Sequence, residues 1–142
     1  MKPLRYKYYM VMLMVLGIGI DILEIERVER ALARRRRLLQ RLFTPQEIAY
    51  CMRRGRPGAS LAARFAAKEA VRKACSALLP GEVFPWLDIE IAMERGRPLV
   101  NLLGAAAQKA AGSDIQGFQV SLSHSREYAC AAVLALGEHR KS

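Results

Sequence analysis

The chain has 142 residues, 52% of them hydrophobic, enough for one ordinary domain with its own core and too apolar for a disordered polypeptide. Lys and Arg number 23 against 13 Asp and Glu, a net charge of +10; the excess favours an anionic partner, whether nucleic acid, lipid, nucleotide or acidic protein. The three cysteines, Cys51, Cys75 and Cys130, are odd in number and lack CxxC spacing, which reads as buried or incidental thiols in a reducing cytoplasm and not as a disulfide frame or zinc site.

Lys2, Arg5 and Lys7 precede an apolar run from Tyr8 to Ile20 that imitates a secretory leader. No small-x-small cleavage site follows, and Asp21 and Glu24 end the run too soon for a bilayer span. The run instead predicts a buried strand within Met10 to Ile20, behind a short basic extension (residues 1–12), with Met12 or Met14 as an alternative start. Gly17 and Gly19 in that strand permit close backbone approach or a bulge, and Asp21 is expected at its exit.

From Glu24 to about Arg41 the period turns helical. Ile25, Val28, Leu32 and Leu39 fall on one side, and Arg27, Arg30, Arg34, Arg37 and Arg41 on the other, widened by Arg35 and Arg36. Thr44-Pro-Gln-Glu47 is a helix start, with Thr44 as N-cap, Pro45 at the first position and Glu47 closing a capping box. That helix ends near the Arg53–Gly58 stretch. Ser60 is the expected cap of the next, which runs to about Leu79 with Ala63, Ala67, Ala70 and Ala74 as a small-residue packing face.

The remainder is strand-rich. Leu87, Ile89 and Ile91 alternate with Asp88 and Glu90 as in a half-exposed strand. A turn over Glu94–Pro98 leads to a strand at Leu99 to Leu102, and an alanine-rich helix follows over Leu103 to Ala111. Phe118, Val120 and Leu122 alternate up to a turn at Ser123-His-Ser125, and Tyr128 to Leu136 returns as an apolar strand. With no repeat or linker, the expectation is a single α+β domain over residues 13–142.

Two carboxylates stand out. Asp21 and Glu69 offer hard oxygens to Mg²⁺, which takes one or two protein carboxylates plus substrate phosphate oxygens, and Arg64, Lys68 and Lys73 are near enough in sequence to meet a polyphosphate. The plainer readings are an Asp that shapes a turn and a Glu69–Lys73 ion pair at i,i+4 in the favourable order. Apolar neighbours Ala62, Phe65 and Ala66 share the stripe of Glu69 and would partly desolvate it, so that it needs a cation. His124, between Ser123, Ser125 and Arg126, makes a donor-rich tip suited to phosphate. It has no nucleophile-elbow glycines around it, and Gly17-Ile-Gly19 fails as a dinucleotide fingerprint.

These segments together resemble the small holo-acyl-carrier-protein synthases, the magnesium-dependent 4′-phosphopantetheinyl transferases. The matching stretches are Gly17-Ile-Gly-Ile-Asp-Ile22, Phe43-Thr-Pro-Gln-Glu47, Ala63-Arg-Phe-Ala-Ala-Lys-Glu-Ala70, Asp88-Ile-Glu-Ile91 with Gly96-Arg-Pro98, and Val120-Ser-Leu-Ser-His124. They follow the family's order from about Leu13 to Leu136; only the segment Met1 to Met12 departs from it.

The resemblance implies an antiparallel sheet packed with helices, and transfer of 4′-phosphopantetheine from coenzyme A to a serine of an apo acyl carrier protein in fatty acid biosynthesis, releasing 3′,5′-ADP. It implies Asp21 and Glu69 as Mg²⁺ ligands, with Lys73 on the pyrophosphate and its developing charge. Arg64 and His124 would lie near the nucleotide's 3′-phosphate, and Gly96, Arg97 and Pro98 near the adenylate. Arg27 and Arg37, with Arg30 and Arg34 of the same stripe, would meet acidic residues of the carrier. A homotrimer with active sites between subunits is also implied. On chemical grounds either Glu69 or a metal-bound water could take the serine proton. Two rivals remain on sequence alone: a nucleic-acid-binding protein using the arginine helix, which lacks any helix-turn-helix, RNP or zinc-finger signature, and a membrane-surface protein. Neither explains the Lys-Glu helix or the His124 turn.

Overall fold

A computed structural model of the protein describes residues 13–138. The expectations for residues 1–12 and for the strand's start at Met10 lie outside the described residues. Strand β1 (Met14–Glu24) is followed by helices α1 (Ile25–Arg34), α2 (Leu38–Leu42), α3 (Pro45–Met52) and α4 (Pro57–Cys75). After a 3₁₀ turn at Trp86–Asp88 come β2 (Ile89–Glu94), β3 (Arg97–Leu102), α5 (Gly104–Ala111), β4 (Ile115–His124) and β5 (Tyr128–Gly137). The three-stranded antiparallel sheet has the order β1-β5-β4, and β2 and β3 form a separate antiparallel hairpin. The α+β class, antiparallel and helix-packed, is as expected.

Helix α4 lies across the inner face of the sheet, packed on β1 and β5. Ala129, Ala131, Val133 and Ala135 of β5 point inward and are buried, as are Ala66, Ala67, Ala70, Val71 and Ala74 of α4. Two glycines let the backbones meet. A Cβ at Gly17 would stand 2.0 Å from the carbonyl oxygen of Ala74, and one at Gly19 only 1.9 Å from that of Ala70. The close approach anticipated from Gly17 and Gly19, and the alanine face facing it, are therefore one contact.

Several boundaries differ from expectation. Asp21 is not at a strand exit; β1 continues to Glu24, and Asp21 pairs with Ala131 inside the sheet. β1 is buried on one face only, since Ile18, Ile20 and Ile22 point outward. The single helix from Glu24 to Arg41 is two. Arg35 is extended, with φ −114° and ψ 103°, and its N–H closes α1 on the Ala31 carbonyl. The break falls in four consecutive arginines, Arg34 to Arg37, whose like charges repel along a helix, and it turns Leu38, Leu39 and Leu42 onto Phe43, Leu61 and Trp86. Arg37 and Arg41 thus leave the stripe of Arg27, Arg30 and Arg34.

The capping box is present: Thr44 Oγ1 accepts from Glu47 N–H, and Glu47 Oε1 accepts from Thr44 N–H. Ser60 does not cap α4; Arg56 holds that position, with Pro57 first in the helix, which ends at Cys75 rather than Leu79. Leu87 lies in the 3₁₀ turn, not in β2. The hairpin tip uses left-handed Arg95 and Gly96, at φ 50° and 76°. The cysteines are unpaired, with Cys51 and Cys75 buried; burial pushes the Cys75 thiol up to about 11 and raises that of Cys51.

Glu47 also belongs to a buried ion pair. Lys68 Nζ lies 2.7 Å from Glu47 Oε1, and both side chains are wholly inaccessible. The remaining donors of Lys68 go to the carbonyls of Leu42 (2.6 Å) and Trp86 (2.9 Å). Glu47 Oε2 accepts from Ile91 N–H, and Thr44 Oγ1 donates to Glu90. Desolvation lowers the pKa of Lys68, against the pull of Glu47. The cluster ties α2, α3, α4, the 3₁₀ turn and β2 together. A buried pair adds little over an apolar one, but breaking it leaves an uncompensated charge. Lys68→Met should therefore lower the unfolding free energy by about 3–5 kcal/mol in urea titration. Adding Glu47→Gln should recover part of the loss. A cost below about 1 kcal/mol, the scale of an exposed pair, would contradict the assignment.

Candidate active site

Asp21 projects from β1 toward α4, where the long side chain of Lys73 reaches it. Lys73 Nζ donates to Asp21 Oδ1 and to the Ile20 carbonyl, both at 2.9 Å. The Lys73 side chain is 54% exposed and that of Asp21 only 16%. The second oxygen, Asp21 Oδ2, is buried without a hydrogen-bond partner. An orphaned carboxylate oxygen is costly and calls for a cation or a donor.

Glu69 sits one turn before Lys73 on α4, its side chain 28% exposed. The i,i+4 pair expected between them does not form. Glu69 Oε1 accepts from the indole Nε1 of Trp86 at 2.7 Å and lies 3.3 Å from Arg72 Nη1. Arg72 in turn donates through Nε to the Phe84 carbonyl at 2.8 Å, and its guanidinium lies 4.4 Å from the Trp86 ring centroid. Partial burial lowers the Arg72 pKa from its ordinary value, and Glu69 opposes the shift. Glu69 thus keeps a helical neighbour at i+3, Arg72, together with the tertiary donor Trp86, while Lys73 is taken by Asp21.

Beside this cluster, an open cleft of about 790 Å³ is lined by Leu32, Leu42, Phe65 and Trp86 and by Arg27, Arg35 and Arg41. Arg27, Arg30, Arg34 and Arg35 also line a shallow groove on α1.

The other sequence-selected residues lie elsewhere in the chain. Lys68 is corrected from a phosphate-facing group to a structural one, because its donors are spent in the buried cluster. Arg64 is buried, donates to the Ser60 carbonyl at 3.2 Å and lies over the Tyr50 ring at 4.3 Å, while its Nε has no partner. His124 is exposed at the end of β4, two strands from Asp21 in the sheet order. Gly96, Arg97 and Pro98 are at the tip of the separate hairpin. One chain thus joins Asp21 to Lys73 and sets Glu69 one helical turn from Lys73, and the hydrogen bonds of Arg64, His124 and the Gly96–Pro98 turn do not link them to that cluster.

Trp86 and Arg72 were missed by sequence reasoning. The signal for Trp86 was its place as the chain's single tryptophan, two residues before Asp88-Ile-Glu-Ile91. For Lys68 the signal was its spacing with Leu61, Arg64, Val71 and Cys75, steps of three and four that put it on a buried helix face. Among the described residues no group of three His, Cys, Asp or Glu side chains could by itself hold a metal, and no helix is long and apolar enough to cross a membrane.

Comparison with known proteins agrees with this architecture. The holo-[acyl-carrier-protein] synthase of Moorella thermoacetica is 54% identical over 121 residues, covering 84% of this chain and 93% of the relative. The crystal structure of a holo-ACP-synthase from Plasmodium yoelii superposes with a TM-score of 0.77 at 27% identity, covering 90% of this chain and 99% of that one. The Helicobacter pylori holo-[acyl-carrier-protein] synthase in complex with coenzyme A gives a TM-score of 0.68 at 33% identity, over 83% and 98%. A model of the 4′-phosphopantetheinyl transferase superfamily matches residues 17–133, and the chain belongs to that superfamily.

Proposed function

We propose that this protein transfers the 4′-phosphopantetheine group of coenzyme A to a serine of an apo acyl carrier protein, releasing 3′,5′-ADP, in the cytoplasmic service of fatty acid biosynthesis. The observation that carries this reading is the Asp21–Lys73 contact with Glu69 one turn away, a pair of acids and a cation of the kind phosphoryl transfer needs. The nucleic-acid alternative has no support in the fold or the relatives.

The residues fit Mg²⁺. Asp21 Oδ2 is a buried oxygen without a donor, and Glu69 Oε2 has no protein hydrogen bond among the described residues, so these two carboxylates would hold the ion and leave its other positions to phosphate and water. When bound, Mg²⁺ neutralises charge on the pyrophosphate and on the leaving 3′,5′-ADP. Lys73 has three donors, two of them taken by Asp21 and the Ile20 carbonyl. The third is left for a phosphate oxygen. Arg64 and His124 are assigned to the 3′-phosphate, and Gly96, Arg97 and Pro98 to the adenylate. On the outer face of α1, Arg27, Arg30 and Arg34, with Arg37 beyond the break, meet the acidic carrier, where complementary charge speeds encounter and fixes orientation.

The placement of these groups in different elements of one chain favours a shared site. His124 lies two strands from Asp21 in the sheet order and Gly96–Pro98 lies in the separate hairpin, and the outer face of the sheet carries Ile18, Ile20 and Ile22 at 69%, 66% and 63% exposure. Leu134 and Ala132 stand beside Ile18 and Ile20 on β5. Such an exposed apolar face is costly alone and marks a subunit interface, here of a homotrimer that brings the separated groups together.

Asp21→Asn and Glu69→Gln should each keep the fold and lose roughly two or more orders of magnitude in rate, the scale of a lost metal or acid–base role. The check is mass spectrometry of an apo carrier incubated with coenzyme A and Mg²⁺. Full activity of either variant in excess EDTA would overturn the reading. Ile20→Glu places a charge in the proposed interface and should give monomers of low activity in sedimentation and rate measurements. A wild-type monomer that is fully active at assay concentration would contradict the trimer.

A further inference from the structure

Helical spacing alone would pair Glu69 with Lys73, since a glutamate four residues before a lysine is a favourable arrangement. That pair would remove Glu69 from any ligand and take Lys73 from Asp21. The structure avoids it by giving Glu69 a different partner. Trp86 Nε1, a donor with no acceptor function, holds Glu69 Oε1 at 2.7 Å. The indole is itself fixed: its backbone carbonyl accepts from buried Lys68, its ring lies under Arg72, and Phe65 packs against it at 5.8 Å between centroids. The turn that carries it is anchored by Asp88, whose carbonyl accepts from Leu103 N–H and whose Oδ2 accepts from Ala106 N–H.

We propose that Trp86 is a positioning residue for the transfer reaction: its indole N–H occupies Glu69 Oε1, keeps Glu69 away from Lys73, and so leaves Glu69 Oε2 for the metal and Lys73 for Asp21 and phosphate. This rests on the reading of Glu69 as a metal-binding carboxylate. Arg72 supports the same oxygen from the side, and the buried Lys68–Glu47 cluster fixes the segment from beneath. The Trp86 carbonyl and indole therefore link the buried cluster to Glu69 in addition to the helix backbone that carries Lys68 and Glu69.

The test uses Trp86→Phe, which keeps an aromatic ring between Phe65 and Arg72 and removes the donor. The Mg²⁺ concentration giving half-maximal rate should rise roughly tenfold or more, the scale seen when a metal ligand loses its supporting hydrogen bond. KM for coenzyme A should change less than about twofold, since a supporting bond to a metal ligand acts on the metal. A second readout needs no turnover. Trp86 is the chain's single tryptophan, so titrating the wild-type protein with Mg²⁺ in the presence of coenzyme A should give a saturable change in indole emission that is absent in Glu69→Gln. An inactive Glu69→Gln together with wild-type Mg²⁺ dependence in Trp86→Phe would overturn the positioning role alone, as would emission indifferent to Mg²⁺ in a metal-dependent enzyme. A fully active Glu69→Gln would overturn both this inference and the reading beneath it.

Discussion

The backbone of β1 rests directly on the backbone of α4, and that contact decides where the chemistry can be. With carbonyl oxygens of Ala70 and Ala74 standing where side chains would begin at Gly19 and Gly17, neither position tolerates a Cβ without moving strand or helix, and overpacking of this kind is destabilising. The same closeness explains the alanine content of α4 and β5, because larger residues would push the layers apart. Asp21 follows Gly19 on the inward face of β1, so it arrives beside the next turn of α4, within reach of Lys73. The lysine spans the gap and binds both Asp21 and the strand's own Ile20 carbonyl. Placement of the site is thus a consequence of packing.

A second constraint acts on the other side of the same helix. Lys68, one residue before Glu69, points into the interior and is satisfied by Glu47 and two carbonyls. Adjacent residues on a helix point about 100° apart, so α4 carries a structural cation on one face and a half-buried carboxylate on the next. The carbonyl of Trp86 belongs to the first and its indole to the second. Charge that looks alike in the sequence therefore divides by burial: an ion pair that holds elements together, and a cluster partly open to solvent.

The features legible in the sequence were those carried by local rules. The glycine pair, the Thr44–Glu47 capping box and the alternation in β2 and β4 each depend on a few neighbouring residues. The resemblance drew its strength from such segments taken together. What escaped depended on distant partners. The apolar spacing from Ile25 to Leu39 is continuous, so only tertiary packing of Leu38 and Leu42 reveals the break at Arg35. Ser60 has a capper's chemistry, but Pro57 starts α4 earlier. Glu69 and Lys73 were paired by spacing and are separated by Trp86 and Asp21, which come from other elements. The burial of Lys68 needed its counter-ion, Glu47, 21 residues away.

If Asp21 of β1 and Glu69 of α4 hold one ion, they act as a unit. A double-mutant cycle in carrier modification tests this most directly, comparing Asp21→Asn, Glu69→Gln and both together at saturating Mg²⁺ and coenzyme A. Groups that serve one ion are strongly non-additive. The double variant should therefore be scarcely slower than the slower single one. Losses that multiply across the two substitutions would show two independent roles and contradict it.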